Sequence, residues 1–517
     1  MGKATSQIPH LDNSRGCTQL IVDGKPFVML GGELQNSSAS DLAFMEPIWD
    51  RMVSLNSNTV LAPIYWECLE PEEGHFDFTL VEGLLKGARE HKLKLVLLWF
   101  GTWKNGESAY VPAWVKTDLK RFPRVQTEPN VNSRTITPLC DEARTADAKA
   151  FRELMKFLKK HDGEQHTVIM VQVENETGVL GASRDMSAVA EKAFNAPIPA
   201  GLSSYLKEKR AKMVPSFRAY WEGVGAKTAG TWPEIFHTKA PETFMAWQIA
   251  AYIDAIAAAG KAEYALPMYV NTWLPYGQKP GQYPSGGPTA EMIGIWQAAA
   301  PHIDMIAPDI YHPDFRMCCA EYTQAGNPLM IPEANVVGGD ANAFWAIAEH
   351  NAICFAPFGV DSPHPWGSVW DSPKLAPAYK FLNDLMPLIT AHQGKGTMKG
   401  ILQQGGESSY SFALGKYTLN IAYQRKADDA RGPAHGLVIN TAPDEFVVAG
   451  TGFTVAFEAK PGEPRNVDFI SVDEVWYANG EWKVGRRMNG DDTVGAKFGF
   501  TYTTDLLLRR AKLYSYA

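Results

Sequence analysis

The 517-residue sequence lacks several features that would point to particular classes of partner. No apolar run approaches the roughly 20 residues that a membrane-spanning helix needs, so we expect no membrane span. Positive charge is not in excess, because 49 Lys and Arg stand against 57 Asp and Glu, for a formal charge of −8. Nucleic acids and anionic membranes reward clustered Lys and Arg, so we expect neither as a partner.

Cysteine and metal-ligand patterns are equally sparse. The six cysteines are scattered and show no metal-type Cys-x-x-Cys spacing, which favours buried thiols and at most one disulfide. The Gly-rich stretch GKGTMKG lacks the spacing and the following helix of a phosphate loop. No other ligand cluster suggests a metal. We therefore expect neither a metal nor a cofactor.

The first residues, MGKATSQIPHL, lack the apolar centre of a signal peptide. We therefore expect either a cytoplasmic chain or one from which a signal peptide has been removed. We favour the second interpretation, which places the protein in the periplasm or outside the cell. The cytoplasm stays open as the alternative.

Eight near-continuous apolar runs alternate with amphipathic segments between about residues 20 and 390. The runs lie at residues 27–33, 59–66, 93–100, 167–174, 265–273, 303–311, 328–334 and 352–359. Such runs are typical of parallel strands that are covered on both faces. The segments between them, such as DLAFMEPIWDRMVSL, repeat apolar residues at helical spacing. Eight strand–helix units predict a (β/α)8 TIM barrel, to which we assign residues 1–392 with a short lead-in.

The pattern changes from about residue 395. Short strand-like runs, among them SSYSFALG, KYTLNIAYQ and EFVVAGTGFTVAFEA, are separated by Gly, Asn and Asp. The dipeptide Asn479-Gly480 between two such runs is a strong hairpin signal. We therefore predict an antiparallel β-sandwich over residues 393–517, as a smaller second domain.

In a barrel of this kind, polar residues at the carboxyl ends of the strands line the active site. The rule collects Tyr65, Trp66, Glu67, the GTWKNGES segment, Glu174, Asn175, Glu176, Asn271, Trp273, Tyr311, His312, Glu333 and Asp361. Glu176 and Glu333 stand out because both follow strongly apolar strands, where a charge is expensive unless it is paired or useful. Glycoside hydrolysis requires two acids that face one another across a sugar. We therefore predict that these two glutamates form a catalytic pair.

Several blocks of the barrel resemble a known family. The stretch GGELQ…IWDRMVSLNSNTVLAPIYWECLEPEEGHFDF resembles the opening of the glycoside hydrolase family 35 β-galactosidases. VQVENETG is similar to that family's Gln-Val-Glu-Asn-Glu-Tyr-Gly, and PLMIPEA fits its nucleophile strand. The resemblance covers about residues 20 to 385 and implies a (β/α)8 β-galactosidase.

The resemblance also implies roles for particular residues. Glu176 corresponds to the acid/base, Glu333 to the nucleophile, and Asn175 to the residue that binds the sugar 2-hydroxyl. Tyr65 matches a tyrosine that touches the galactose. We further expect Tyr311 to line the pocket and to hydrogen-bond the nucleophile.

The sequence also departs from the family pattern. The usual RPGPYICAEW block reads LLWFGTWKNGES, so an Ala-Glu contact to the sugar is replaced, with Trp103 and Asn105 as the candidates. Thr177 stands where tyrosine is usual. The pattern looks like a divergent bacterial branch, some of whose members remove galactose from plant xyloglucan side chains.

Four further positions have two interpretations each. Trp103 and Trp273 either form an apolar platform for a sugar ring or simply fill the top of the barrel. Glu33 either contacts substrate or anchors the barrel floor. For Glu174 we favour a buried hydrogen-bonding role over contact with the sugar.

The function that we expect is a retaining exo-β-galactosidase that acts on galactose-containing oligosaccharides or polysaccharides. Its two carboxyl groups would lie about 5–5.5 Å apart. A same-clan arabinofuranosidase or β-glucanase, and a non-catalytic carbohydrate-binding protein, are the alternatives. Oligomeric state and natural linkage stay open.

Overall fold

The computed structural model describes residues 7–361, 373–426, 429–478, 481–488, 490–500 and 505–517. Its first part contains eight parallel strands, each followed by a helix. The strands are β1 Met29–Glu33, β2 Thr59–Tyr65, β3 Lys94–Lys104, β4 Val168–Asn175, β5 Met268–Trp273, β6 Met305–Ile310, β7 Glu333–Ala334 and β8 Cys354–Phe355. The helices are α1 Leu42–Ser54, α2 Thr79–Glu90, α3 Asp141–Asp162, α4 Ala240–Glu263, α5 Ile293–Ala299, α6 Phe315–Tyr322, α7 Gly339–His350 and α8 Leu375–His392.

The strands form because their residues are apolar on both faces and both faces are covered. Every residue of β2 and β4 is buried, as expected for a parallel barrel. Helix α2 buries one side, with Val81, Leu84 and Leu85 among its buried residues, whereas α7 is buried on most of its surface. At the start of α1 the Asp41 side chain accepts a hydrogen bond from the backbone N–H of Phe44 at 2.7 Å, which caps the helix.

The strands are ordered β7-β6-β5-β4-β3-β2-β1-β8. A parallel bridge between Ile331 and Phe355 joins the two ends of this order and closes the barrel. Tyr379 of α8 lies across the neighbouring pair of strands, β8 and β1, and donates to the carbonyl oxygens of Gly31 (2.8 Å) and Phe355 (3.0 Å). The predicted TIM barrel is confirmed.

Additional elements decorate the barrel. A small antiparallel sheet precedes it, at His10–Asp12, Gln19–Val22 and Lys25–Pro26, and a hairpin of Arg124–Glu128 and Val131–Ile136 follows β3. Short helices occur at Trp66–Leu69, Ala113–Thr117, Ala188–Phe194, Ala200–Glu208, Pro215–Gly223 and Trp232–Phe236. The last four of these helices form an insertion between β4 and α4.

The C-terminal part consists of two antiparallel sheets, as predicted. The six-stranded sheet has the order Met398–Leu402, His435–Ala442, Glu445–Thr451, Leu507–Tyr516, Asn466–Ala478 and Glu481–Arg487. The four-stranded sheet has the order Ser409–Leu414, Tyr417–Tyr423, Phe453–Ala459 and Lys497–Gly499. A core of Leu419, Val438, Phe446, Phe457 and Phe498 fills the space between the sheets.

The six-stranded sheet is covered on both faces. Val438 points into the sandwich core, whereas its neighbours Leu437 and Ile439 belong to the core of the barrel. The barrel helices therefore form the second cover of this sheet.

Two details differ from the sequence expectation. The run EFVVAGTGFTVAFEA was expected to be one strand, but it forms two strands in different sheets. The chain changes sheet at Gly452, whose φ of +80° suits glycine and few other residues. The predicted hairpin turn Asn479-Gly480 lies outside the described residues, although the strands on either side of it pair antiparallel.

All six cysteines are free thiols, and four of them, Cys140, Cys318, Cys319 and Cys354, are buried. This confirms the expected buried thiols for those four, while Cys17 and Cys68 are partly exposed. Among the described helices, none combines the length and the apolar character that crossing a bilayer would require.

The hydrogen bonds of Tyr379 yield a stability prediction. We expect Tyr379→Phe to lower the free energy of unfolding by roughly 1–2 kcal/mol, because two buried carbonyl groups lose their donor without any loss of ring packing. Denaturant unfolding measures the change. The control Tyr514→Phe, at a largely exposed ring, should stay within about 0.5 kcal/mol of wild type. Equal effects of the two substitutions would contradict the stabilising role of the Tyr379 hydroxyl.

Candidate active site

Four carboxyl groups meet at the carboxyl ends of the barrel strands. Glu33 ends β1, Glu176 follows β4, Asp309 lies in β6 and Glu333 begins β7. One oxygen each of Glu176, Asp309 and Glu333 lie within 4.8 Å of one another. All four side chains are buried. We call these four residues the acid cluster.

The backbone around Glu176 is held in an uncommon conformation. Glu174 and Glu176 have φ values of +64° and +42°, in the left-handed region that non-glycine residues rarely adopt. The backbone N–H of Glu176 donates to Asn271 Oδ1 at 2.9 Å, and its carbonyl oxygen accepts from the N–H of Gly106 at 2.9 Å. Strained backbone that persists because its surroundings hold it is common at functional sites.

Glu174 has a different environment from Glu176. Its two carboxylate oxygens accept from the backbone N–H groups of Thr102 (3.1 Å) and Trp103 (2.6 Å). It faces Asp147 of α3, which accepts from Trp99 Nε1 at 2.8 Å. Burial and the charge of Asp147 raise the pKa of Glu174 well above its usual value. The expected buried hydrogen-bonding role of Glu174 is confirmed.

Glu333 is held by Tyr311. The Tyr311 hydroxyl donates to Glu333 Oε1 at 2.5 Å, while Glu333 Oε2 is buried without a hydrogen-bond partner among the described residues. Burial and the negative charge of Glu333 raise the pKa of Tyr311, so the phenol stays a donor. The structure thus brings together two residues that the sequence analysis had selected separately.

Asn271 links Glu176 to Asp309. Its Oδ1 accepts from the backbone of Glu176, and its Nδ2 donates to Asp309 Oδ2 at 2.7 Å. Burial, followed by the charges of Glu333 and Glu176, raises the pKa of Asp309 well above its usual value. A protonated Asp309 can therefore donate to Glu176, which it faces.

The pKa of Glu176 is raised to about 7. Burial is the largest cause, and the negative charge of Glu333 adds to it. The positive charge of Lys104 and the hydrogen bond with Asp309 act in the opposite direction. Glu176 therefore exchanges its proton near neutral pH, which is what a general acid and base requires.

Lys104 is a cation of the site; it lies within the collected segment GTWKNGES, although no role was predicted for it. It is buried at the end of β3, with Nζ 5.2 Å from the centroid of the Phe100 ring and hydrogen-bonded to Asn105 Oδ1. Its charge lowers the pKa values of Glu33 and Glu176 against the effect of burial. The pKa of Glu33 still lies well above its usual value, mainly because of burial and then of Glu333.

Several buried polar atoms beside these groups have no hydrogen-bond partner among the described residues. They include both amide atoms of Asn175 and both carboxyl oxygens of Glu33. Buried polar groups are nearly always hydrogen-bonded, because leaving one unpaired costs about 1–3 kcal/mol. Unpaired donors and acceptors in this position fit a ligand that carries several hydroxyl groups.

The other predicted substrate contacts have different fates. Asn105 is exposed, and its backbone N–H donates to the carbonyl oxygen of Asn175 at 3.2 Å, so it lies at the mouth of the site. Trp273 ends β5 opposite Asp309 in the strand register and is partly exposed, which leaves it available to a sugar ring.

Trp103 had two interpretations, a sugar platform or a packing role. Its ring is fully buried and packs edge-on against Tyr252 of α4, with ring centroids 4.7 Å apart. This packing supports the second interpretation, in which the ring fills the top of the barrel between β3 and α4. Contact between Trp103 and the substrate stays a prediction. Tyr65 is buried against Phe100 and Tyr110, and the groups near its hydroxyl include the Ala39 backbone and Asp361.

A signal for Asp309 was present in the sequence. Asp309 and Tyr311 are two residues apart at the end of one strand, and alternate residues of a strand point to the same side. The choice of Tyr311 therefore implied Asp309 as well. For Lys104 the strand-end rule selected the segment but not the direction of the side chain, because the register of β3 against β4 shifts between Trp99 and Lys104.

Glu176, Asp309 and Glu333 are also the described residues that could hold a metal ion. Carboxylate oxygens suit hard divalent cations. Tyr311 donates to Glu333 Oε1 and Asn271 donates to Asp309 Oδ2, whereas Glu333 Oε2 and Asp309 Oδ1 have no hydrogen-bond partner among the described residues. The expected absence of a metal stays a prediction.

Comparison with known proteins places this site in a familiar type of barrel. Residues 40–252 match a family model named Glyco_hydro_42, which is described as Beta-galactosidase. Residues 375–499 match a domain of unknown function, DUF5597. A curated β-galactosidase of Xanthomonas manihotis is 29% identical over 168 residues, which are 31% of this chain and 25% of that protein. The chain thus matches about a quarter of the length of this relative.

A solved structure at low identity has a similar fold, and another is similar over part of its length. A catalytic mutant of a family 42 β-galactosidase from G. stearothermophilus is 11% identical, with a TM-score of 0.52, over 94% of this chain and 98% of that one. A β-galactosidase from Bacillus circulans sp. alkalophilus is 15% identical, with a TM-score of 0.49, over 70% of this chain and 57% of that one.

The barrel is therefore similar to glycoside hydrolases of the β-galactosidase kind. The sequence analysis had named family 35, and the matching model is that of family 42, so the resemblance does not extend to family 35 specifically.

The hydrogen bonds of Asp147 yield a stability prediction. We expect Asp147→Ala to lower the free energy of unfolding by roughly 1–3 kcal/mol, because the buried N–H of Trp99 loses its acceptor. Thr102 loses one partner of its N–H and one of its hydroxyl, but keeps Glu174 and Tyr252. Asp147→Asn, which keeps one acceptor oxygen, should cost less. Denaturant unfolding measures both, with Glu164→Ala at an exposed position as control. A loss under about 1 kcal/mol for Asp147→Ala would contradict this assignment.

Proposed function

We propose that the chain is a retaining exo-β-galactosidase. The observation that carries the proposal is the distance of at most 4.8 Å between carboxylate oxygens of Glu176 and Glu333. Retaining glycosidases hold their two carboxyl groups about 5–5.5 Å apart, and inverting enzymes about 6.5–9.5 Å. The short separation supports direct attack by one carboxylate. The match of the barrel to a β-galactosidase model supports galactose as the sugar.

In the first step Glu333 attacks the anomeric carbon of the galactosyl residue. A bond forms between a Glu333 carboxylate oxygen and that carbon, while the bond from the carbon to the aglycone oxygen breaks. The released electron pair stays on the aglycone oxygen, which takes the proton of Glu176. The result is a galactosyl-enzyme ester, a neutral alcohol and an ionised Glu176.

In the second step water releases the sugar. Glu176, now a carboxylate, takes a proton from the incoming water, and the water oxygen bonds to the anomeric carbon. The ester bond to Glu333 breaks, and its electron pair returns to the carboxylate. Two displacements at one carbon retain its configuration.

Neighbouring side chains support these steps. Tyr311 orients Glu333 through its 2.5 Å hydrogen bond. Asn271 fixes the backbone of Glu176 and the side chain of Asp309. Asn175 offers an amide that has no hydrogen-bond partner in the described part of the chain, which suits a hydroxyl of the sugar next to the reacting carbon. Preorganised groups of this kind reduce the cost of reaching the transition state.

As the natural substrate we propose galactosylated oligosaccharides of the plant cell wall, such as xyloglucan side chains. The support is the altered β3 segment, which leaves Asn105 exposed beside Asn175. A periplasmic or secreted location, which we also propose, suits a substrate that is released from a polymer.

The proposed roles predict different effects of two substitutions. Glu176→Gln should lower turnover of lactose by roughly 10²–10⁴-fold, because the sugar leaving group needs a proton. For dinitrophenyl β-galactoside the bond-breaking step should be much less affected, because that leaving group departs unprotonated. Glu333→Ala should reduce turnover of both substrates to background.

The configuration of products completes this test. With azide added, Glu176→Gln should give β-galactosyl azide and Glu333→Ala α-galactosyl azide, and proton NMR distinguishes the two. Glu107→Gln, at a partly exposed residue of the loop after β3, is the control, and its activity should stay within about twofold of wild type. Normal lactose turnover by Glu176→Gln would overturn the assignment.

The pKa of Glu176 predicts the pH dependence. Glu176 must be protonated to donate, so kcat/KM should fall as the pH rises through about 7. Lys104→Met removes a charge that favours the ionised form of Glu176, so the alkaline fall should move to higher pH, by roughly one unit. Lys512→Met, on the β-sandwich, should not move it. A shift to lower pH in Lys104→Met would contradict the electrostatic role.

A further inference from the structure

A cavity of about 350 Å³ lies beside Tyr276, in the loop after β5. Its walls come from the loop after β5, from the residue after Tyr311, from α6 and from the start of the inserted helix Pro215–Gly223. The lining includes Leu274, Tyr276, His312, Met317 and Glu321. Its volume is at the lower end of the roughly 300–1,000 Å³ that small-ligand pockets span.

Tyr276 connects this cavity to the acid cluster. Its hydroxyl accepts a hydrogen bond from the backbone N–H of Tyr311 at 3.1 Å, and the Tyr311 side chain in turn donates to Glu333. The charges of Asp309 and Glu176 reach the Tyr276 hydroxyl and contribute to its raised pKa, after burial. A ligand whose reacting atom lies between the two glutamates could therefore continue into the cavity past Tyr276.

The Tyr276 ring is fixed and yet accessible. It stacks on His312, with ring centroids 4.9 Å apart and an interplanar angle of 22°, while 42% of the residue remains exposed. The His312 ring is itself fixed, because its Nδ1 accepts from the backbone N–H of Asp314 at 3.0 Å. A rigid, exposed aromatic ring binds a flat apolar surface with little loss of conformational entropy.

The remaining lining indicates the kind of ligand. Leu274 and Met317 are apolar, whereas Glu321 is a half-buried acid without a hydrogen bond or ion pair among the described residues. Burial raises the pKa of Glu321, and a neutral partner with hydroxyl groups would satisfy its oxygens. Glu291, also in the lining, already pairs with Lys239 at 2.5 Å. Acidic walls of this kind disfavour an anionic sugar.

We propose that this cavity binds the neutral sugar residue to which the galactosyl group is attached, with one face of that sugar on Tyr276 and its hydroxyls towards Glu321. The proposal rests on the proposed β-galactosidase function. It makes Tyr276 and Glu321 determinants of which galactosides are cleaved. A sugar ring has an apolar face of C–H groups and a polar rim, and the cavity offers a partner for each.

The test compares two substrates that share the galactosyl group. Lactose has a neutral sugar as leaving group and would fill the cavity, whereas β-galactosyl fluoride leaves it empty. We expect Tyr276→Ala to lower kcat/KM for lactose about 10-fold more than for galactosyl fluoride, mainly through KM, which corresponds to about 1.4 kcal/mol of binding. Tyr514→Ala, at a similarly exposed tyrosine of the β-sandwich, is the matched control.

A second variant keeps the proposal testable if Tyr276→Ala also displaces Tyr311. Glu321 lies on α6. Glu321→Gln should lower kcat/KM for lactose by roughly threefold or more relative to galactosyl fluoride, because a charged acceptor of a hydrogen bond is lost. Equal losses on both substrates, in both variants, would overturn the cavity proposal. If the wild type cleaves neither substrate, the proposed β-galactosidase function itself fails.

Discussion

The site depends on one electrostatic constraint: buried carboxyl groups that lie this close together cannot all be ionised. Glu33, Glu176, Asp309 and Glu333 share the mouth of one barrel, and burial together with mutual repulsion raises the pKa values of the first three. Protons must therefore remain in the cluster at neutral pH. The negative charge that remains is partly balanced by Lys104. The fold thus stores the proton that the proposed reaction needs.

The same constraint assigns different tasks to residues of one motif. Glu174 and Glu176 are two positions apart, but the first accepts two backbone N–H groups in the wall of the barrel and the second faces Glu333. The left-handed backbone at both residues separates their side chains. A regular strand would have pointed both acids to the same side.

Much of the fold could be predicted from the sequence because its physical signals are local. Continuous apolar runs and amphipathic segments identified all eight barrel strands and the helices between them. The boundary between two strands of the C-terminal part was harder to predict. EFVVAGTGFTVAFEA was expected as one strand, because a glycine within an apolar run does not reveal that the chain changes sheet at Gly452.

The site could be predicted in outline but not in its contacts. The rule that strand ends meet at one edge selected Glu176, Glu333 and Tyr311, which the structure brings together. It could not reveal that Trp103 points to α4, because the irregular register near the end of β3 breaks the alternation of side chains. The direction of the Lys104 side chain could not be predicted for the same reason. Which atoms meet depends on distant parts of the chain, and no local pattern encodes that.

The six-stranded sheet of the C-terminal part has a consequence for the whole chain. Alternate residues such as Leu437 and Val438 belong to two different cores, so one sheet serves as a wall of both. Removing the C-terminal part would expose apolar surface of the barrel helices to water, and removing the barrel would expose one face of the sheet. The stability of each part thus depends on the other, and a substitution in the shared sheet should affect the packing of both cores. A fusion of this barrel to a different domain would therefore have to keep the six-stranded sheet.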